Sequence, residues 1–255
     1  WPAYQAAAAV LRDGGILSEA DADRLTGAVQ LAELLEPLRF LIRWDPVSKT
    51  DAFFGRETEL RQLRKFVDVL ASQSLLESVQ RGYSRFVDDE SRALVLSGIG
   101  GVGKSTLLAK FLVDHTADKV PATRLVFSYL DFDRAAISGV QPATLLLELL
   151  RQLASQLPQV RPALDQLRTQ VQENVATVAA LPSFSGNDAS SALAGMPREL
   201  IDRSQMNLYL ELLARSLNDV HNERVMLIVL DTFEEVQLLG DEATVRVEGV
   251  IEDLL

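Results

Sequence analysis

Gly98, Gly103, Lys104 and Ser105 stand in the order Gly-x-x-x-x-Gly-Lys-Ser, the Walker A spacing of loops that cradle phosphates. The full run is Gly98-Ile99-Gly100-Gly101-Val102-Gly103-Lys104-Ser105-Thr106. Its glycines admit a left-handed backbone and let amide N–H groups approach an anion with no Cβ in the way. A helix beginning near Lys104 adds the positive end of its dipole. Lys104 is expected on the β- and γ-phosphates, Ser105 on Mg²⁺ and Thr106 on the α-phosphate. The expected ligands are therefore ATP or ADP with Mg²⁺.

A phosphate loop holds its metal weakly unless a carboxylate at the end of another strand supports the metal shell. Val225-Met226-Leu227-Ile228-Val229-Leu230-Asp231 supplies that pattern, with Glu234 and Glu235 just beyond. Asp231 is expected at the carboxyl end of a buried strand, where ligands of open α/β sheets sit. One of the two glutamates could orient or deprotonate an attacking water. Asp131 and Asp133 end another apolar run on the same sheet edge; solvated strand-end carboxylates are the simpler expectation for them, and an approach to the γ-phosphate side is the alternative. His115 and His221 read as helix-end or surface residues.

The elements that must position these groups can be read from periodicity. Ala93–Leu96 reads as a short strand leading into the loop, and an apolar helix follows to about His115. Leu125–Leu130 and Val225–Leu230 read as further strands. Pro142 precedes a Leu-rich helix over Ala143–Leu157. Helices are expected over Pro162–Ala180, Glu199–Val220 and Asp241–Leu255, with a loop over Leu181–Pro197. Strands alternating with helices predict an α/β fold, a P-loop NTPase domain with a parallel sheet flanked by helices. A small helical segment precedes it. There Tyr4–Arg12 is helical, Asp13-Gly14-Gly15 is a stop, and Ser18 opens a second helix with Asp21 as capping partner. Pro37, Pro46 and Val47–Thr50 should end that segment as a linker. The expected domains are thus residues 1–50, a helical adaptor, and residues 51–255, the NTPase domain. Within the latter, Phe53-Phe54-Gly55-Arg56 forms a turn before a helix from Glu57 to about Gln80, with Leu60, Leu63, Val67 and Leu70 on one stripe.

Composition narrows the function classes. The chain has 255 residues, is 47% hydrophobic and 24% charged, and carries a net charge of −11, which suits a globular protein and not a disordered one. Cysteine is absent, so disulfides, thiolate metal sites and Cys nucleophiles are excluded. An acidic surface with scattered Lys and Arg disfavours nucleic acid and anionic membranes. No apolar run reaches the ~18–20 residues of a membrane span, and a cytoplasmic location is expected.

Phe53-Phe54-Gly55-Arg56-Glu57, the Gly-Gly-Val-Gly-Lys-Ser-Thr loop and Ile228-Val229-Leu230-Asp231-Thr232-Phe233-Glu234-Glu235 together resemble the STAND class of signal-transducing P-loop NTPases. That class includes the NACHT and NB-ARC modules of immune receptors and many bacterial regulators, and a bacterial protein is the expectation here. The resemblance covers roughly residues 51–255. It implies that Phe54, Gly55 and Arg56 line the adenine and ribose pocket. It further implies a switch that is inactive with ADP and self-associates with ATP, flanked by effector and sensor domains outside this sequence. It also implies a later strand between the two motif-bearing strands, so the domain is expected to be incomplete at its C-terminus. Thr232 is larger than the small residue usual after the aspartate, and Glu234 replaces a commoner Asp. The leading expectation is a slow ATP-hydrolysing switch. Alternatives are an AAA+-type motor or loader ATPase, and a nucleotide-dependent scaffold with negligible hydrolysis; a small-molecule kinase has no visible lid or acceptor site.

Overall fold

The computed structural model describes residues 2–48, 50–80, 93–116, 125–134, 137–180, 203–221 and 225–252. The expected loop Leu181–Pro197 and the start of the helix at Glu199 lie outside them. The described elements are α1 (Pro2–Asp13), α2 (Glu19–Leu41), α3 (Glu57–Gln80), α4 (Lys104–Thr116), β1 (Leu125–Asp131), α5 (Pro142–Gln156), α6 (Arg161–Ala180), α7 (Arg203–His221), β2 (Val225–Asp231), α8 (Glu234–Leu238) and α9 (Asp241–Glu252). The described residues are mostly helical, and their one sheet is the parallel pair β1–β2. The chain divides into two compact units. One comprises Trp1–Phe127, Ser155–Pro158 and Asn218–Leu227; the other comprises Ser128–Ala154, Gln159–Leu217 and Ile228–Leu255.

In the first unit α2 packs on α1 and along α4, and α3 also meets α4. Ser18 caps α2, its hydroxyl oxygen accepting from the Asp21 amide, as the capping pattern predicts. Pro37 does not end the segment: α2 runs through it to Leu41. Proline forfeits one helical hydrogen bond, and burial of Leu34, Leu35 and Leu38 outweighs that loss at about 1.5–3 kcal/mol per side chain. The helix stops where Arg43 adopts φ 52°. The expected linker is an ordered turn in its described part. The Asp45 carboxylate accepts from the Val47 and Ser48 amides and the Ser48 hydroxyl, and Asp45 bridges to Thr50.

That turn delivers Asp51 to α4. Lys110 Nζ donates to Asp51 at 2.8 Å and to Asp114 at 2.9 Å, and Arg64 of α3 lies 3.6 Å from Asp114. Burial pulls the Lys110 ammonium pKa down, but the bonds to Asp114 and Asp51 prevail and hold it above its ordinary value. Leu60, Leu63 and Val67 of α3 are buried, as their spacing predicts.

Ala93–Leu96 is the one expected strand that carries no strand pairing; Leu94 and Val95 are exposed. An apolar run becomes a strand only when a neighbour takes its backbone groups. Among the described residues none pairs with this run as a strand.

β1 has such neighbours on both edges. Phe132 N donates to Asp231 O, so alternate residues of this chain segment face β2. Phe127 and Tyr129 face the other way, and two glutamines of α5 complete their bonding. The Gln156 side chain accepts from Phe127 N and donates to Phe127 O. Gln152 does the same for Tyr129 N and O, at 2.7 and 2.8 Å. Gln152 also donates to Glu148. Burial pushes the Glu148 carboxyl upward, but bonds from Arg151 and Gln152 bring it below its ordinary value. In the second unit Leu130, Phe132, Ile137, Leu145, Val236 and Val247 form a core, with Phe132 and Phe233 edge to face.

Gln152 is 1% exposed, so Gln152→Ala strands a buried N–H and a buried C=O of Tyr129. Chemical denaturation is expected to show a loss of about 2–4 kcal/mol. A loss below about 0.5 kcal/mol would mean the edge bonds carry no net stability.

Candidate functional site

The first unit holds the glycine-rich loop. Gly101 and Gly103 adopt φ 75° and 87°, conformations that a side chain resists. They bracket a tight turn in which Val102 N donates to Ile99 O. Leu107 N then bonds Gly103 O, and the chain enters α4 at Lys104. Leu107, Ala109, Phe111 and Leu112 are buried and hold that helix, so its first turn is fixed while Lys104, Ser105 and Thr106 remain half-buried. The amides of that first turn have no intrahelical acceptor and face outward along the axis. Gly98, Gly100, Gly101 and Val102 are exposed. Lys104 Nζ folds back across the loop to donate to Gly98 O at 3.0 Å.

Arg56 also reaches this loop. Its guanidinium donates to Val102 O, from a backbone at φ 61° just after Gly55 at φ 76°. A non-glycine residue at positive φ costs on the order of 1 kcal/mol or more and survives where other contacts fix it. The bond to Val102 is such a contact. Phe54 is 86% exposed, so it anchors no core, and Phe53 is half-buried. The turn thus brings Arg56 to the glycine-rich loop and leaves the Phe54 ring exposed.

The second unit holds the acidic residues. Asp231 is 6% exposed, and both its oxygens are engaged. Oδ1 accepts from Thr232 N at 3.1 Å, and Oδ2 accepts from the Tyr129 hydroxyl. Tyr129 itself is 4% exposed. Burial, then the bond to Asp231, raise its pKa far above the ordinary tyrosine value, so it stays a donor. Nothing in the sequence marks Tyr129. Only the register of β1 against β2 brings it to Asp231.

Asp131 differs from the solvated strand end expected of it. Its Oδ1 accepts from Thr232 Oγ1 at 3.0 Å and from Asp133 N at 3.1 Å, and Arg134 lies 3.4 Å from Oδ2. Thr232 adopts φ 55°, a genuine outlier for a β-branched residue. Glycine would carry little strain in that conformation. Here the hydroxyl bond to Asp131 and the amide bond to Asp231 hold it instead. Glu234 and Glu235 are exposed on the first turn of α8. Asp133 is also exposed.

His115 bonds Phe111 O and stacks on the Phe111 ring, a helix-end role as expected; His221 closes α7. Among the described residues no group of three His, Cys, Asp or Glu could hold a metal by itself. Ser105 in the first unit and Asp231 in the second each carry an oxygen donor of the kind that Mg²⁺ takes together with waters and substrate phosphates. Among the described residues no helix is long and apolar enough to cross a membrane.

Compared with known families, residues 71–185, less than half of the chain, match the model "Nephrocystin 3, N-terminal". The matched stretch contains Gly98–Thr106. Neither the curated proteins nor the solved structures include a match to this chain.

Thr232→Val keeps the β-branch and the strained backbone but deletes the hydroxyl. Thermal and urea unfolding are expected to show a loss of about 1–3 kcal/mol. An unchanged midpoint would mean that the hydroxyl's bonds to Asp131, to Asp231 O and from Asp133 N do not offset the strain.

Proposed function

We propose that the chain is a nucleotide-binding switch of the P-loop type, which takes ATP or ADP with Mg²⁺ and hydrolyses ATP slowly. One observation carries the reading. A loop of complete Walker A spacing enters α4 with glycines left-handed at positions 101 and 103, and Lys104 is turned across it. Backbone amides of a left-handed turn followed by a helix start form a concavity suited to a polyphosphate.

In this reading the loop amides and the first turn of α4 bind the phosphates. Lys104 leaves Gly98 O for the β- and γ-phosphate oxygens, exchanging a neutral acceptor for a charged one. Ser105 and Asp231 would hold the Mg²⁺ shell, and the metal would supply charge neutralisation to the phosphates. Glu234 or Glu235 orients the water. Arg56 acts from the edge of the loop, and Phe54 lies against the base. The wider assignment is STAND-like, a parallel α/β domain that self-associates in its ATP state and works in the cytoplasm without nucleic acid or membrane as partner. Its support is the three-motif pattern and the acidic composition.

Lys104→Ala is expected to weaken ADP–Mg²⁺ binding at least tenfold by calorimetry, since a charge-assisted contact is worth about 1.5–3 kcal/mol. Equal affinity of the wild type and the variant would remove the loop from the site.

A further inference from the structure

We propose that Tyr129, donating its hydroxyl proton to Oδ2 of Asp231, is the positioning residue that presets the metal-supporting carboxylate. This rests on the phosphate-loop reading above. The assignment starts from topology. A carboxylate on the last residue of a strand has a free χ1 and χ2 unless something outside the strand fixes it. β2 offers the Asp231 carboxylate one local donor, the Thr232 amide to Oδ1. One donor leaves the group able to pivot about that oxygen. The second donor comes from the neighbouring strand, where the Tyr129 hydroxyl holds Oδ2. Together they set the plane of the carboxylate.

Tyr129 is itself held. Its backbone N–H and C=O both bond the Gln152 side chain, and the residue is buried. The donor is therefore fixed before any cation arrives. Chemistry also favours a tyrosine in this place. A neutral donor leaves the carboxylate its full negative charge for a cation, whereas a lysine or arginine would neutralise it. Each oxygen keeps a lone pair beyond the one used in these bonds, so Asp231 can still accept from a metal-bound water. Metal sites commonly depend on such outer partners, and losing one costs roughly ten- to hundredfold in metal affinity.

The test uses Tyr129→Phe, which keeps the ring and deletes one oxygen, together with Asp231→Asn and the double variant. Calorimetry reads ADP affinity with and without Mg²⁺, and thermal unfolding of the nucleotide-free proteins is recorded beside it. The expected result is a roughly tenfold loss in Mg²⁺-linked ADP affinity for Tyr129→Phe, with Mg²⁺-free ADP affinity unchanged. In the Asp231→Asn background Tyr129→Phe adds no further loss of Mg²⁺ linkage, because the tyrosine acts through Asp231. A lowered unfolding midpoint with unaltered Mg²⁺ linkage would make Tyr129 a structural residue and overturn the inference alone. Additive losses in the double variant would overturn it too. A wild type that binds no nucleotide under either condition would overturn the phosphate-loop reading, and this inference with it.

Discussion

A strand has two edges, and every buried N–H and C=O on each must find a partner. That constraint organises what is ordered around β1. One edge pairs with β2, and the other is completed by Gln152 and Gln156, whose side-chain amides imitate a neighbouring strand at Phe127 and Tyr129. A two-stranded sheet is marginal alone. With the second edge bonded to α5 side chains, β1 can be buried along most of its length. Its register against β2 is then fixed, and register decides which side chains meet beyond the strand ends. Tyr129 reaches Asp231, and Asp131 reaches Thr232. The acidic residues are placed by backbone bookkeeping several residues away.

The glycine-rich loop depends on a different support. Its amides are useful only if the first turn of α4 stays still, and that helix is pinned by its buried apolar face and by α2 along it. The ion cluster of Asp51, Lys110, Asp114 and Arg64 adds a polar tie from the turn after α2. The helical residues before position 50 thus bear directly on the helix that carries Lys104 and Ser105. Each unit holds one strained residue beside a sequence motif: Arg56 beside the glycine-rich loop, Thr232 beside Asp231. Each strained residue makes a bond that holds it there.

Much of this was legible in the residues. The helix Glu57–Gln80, the cap at Ser18, the start at Pro142 and the strands ending at Asp131 and Asp231 follow from local periodicity and capping chemistry, and the structure has them. Loop spacing is also local, because phosphate binding needs adjacent backbone amides. What could not be read is tertiary. Ala93–Leu96 has strand composition, but composition does not provide a neighbour. Pro37 signals a stop, yet packing of the leucines around it carries α2 onward. The meeting of Tyr129 with Asp231 depends on how two distant segments align, and no spacing along the chain encodes it. Arg56 is a cation just before a helix start, where the dipole disfavours it. Its partner, the Val102 carbonyl, became visible only with the loop folded.

Backbone amides of Gly100–Thr106 are the proposed partners of nucleotide phosphates. Amide hydrogen exchange of the full chain with and without ADP–Mg²⁺ tests this most directly, since it reads those N–H groups themselves. Slowed exchange is expected over Gly100–Thr106 and the first turn of α4 at saturating ADP–Mg²⁺, absent in Lys104→Ala. Unchanged exchange there, while ADP binding is independently shown to be saturated, would place the nucleotide elsewhere and contradict the account.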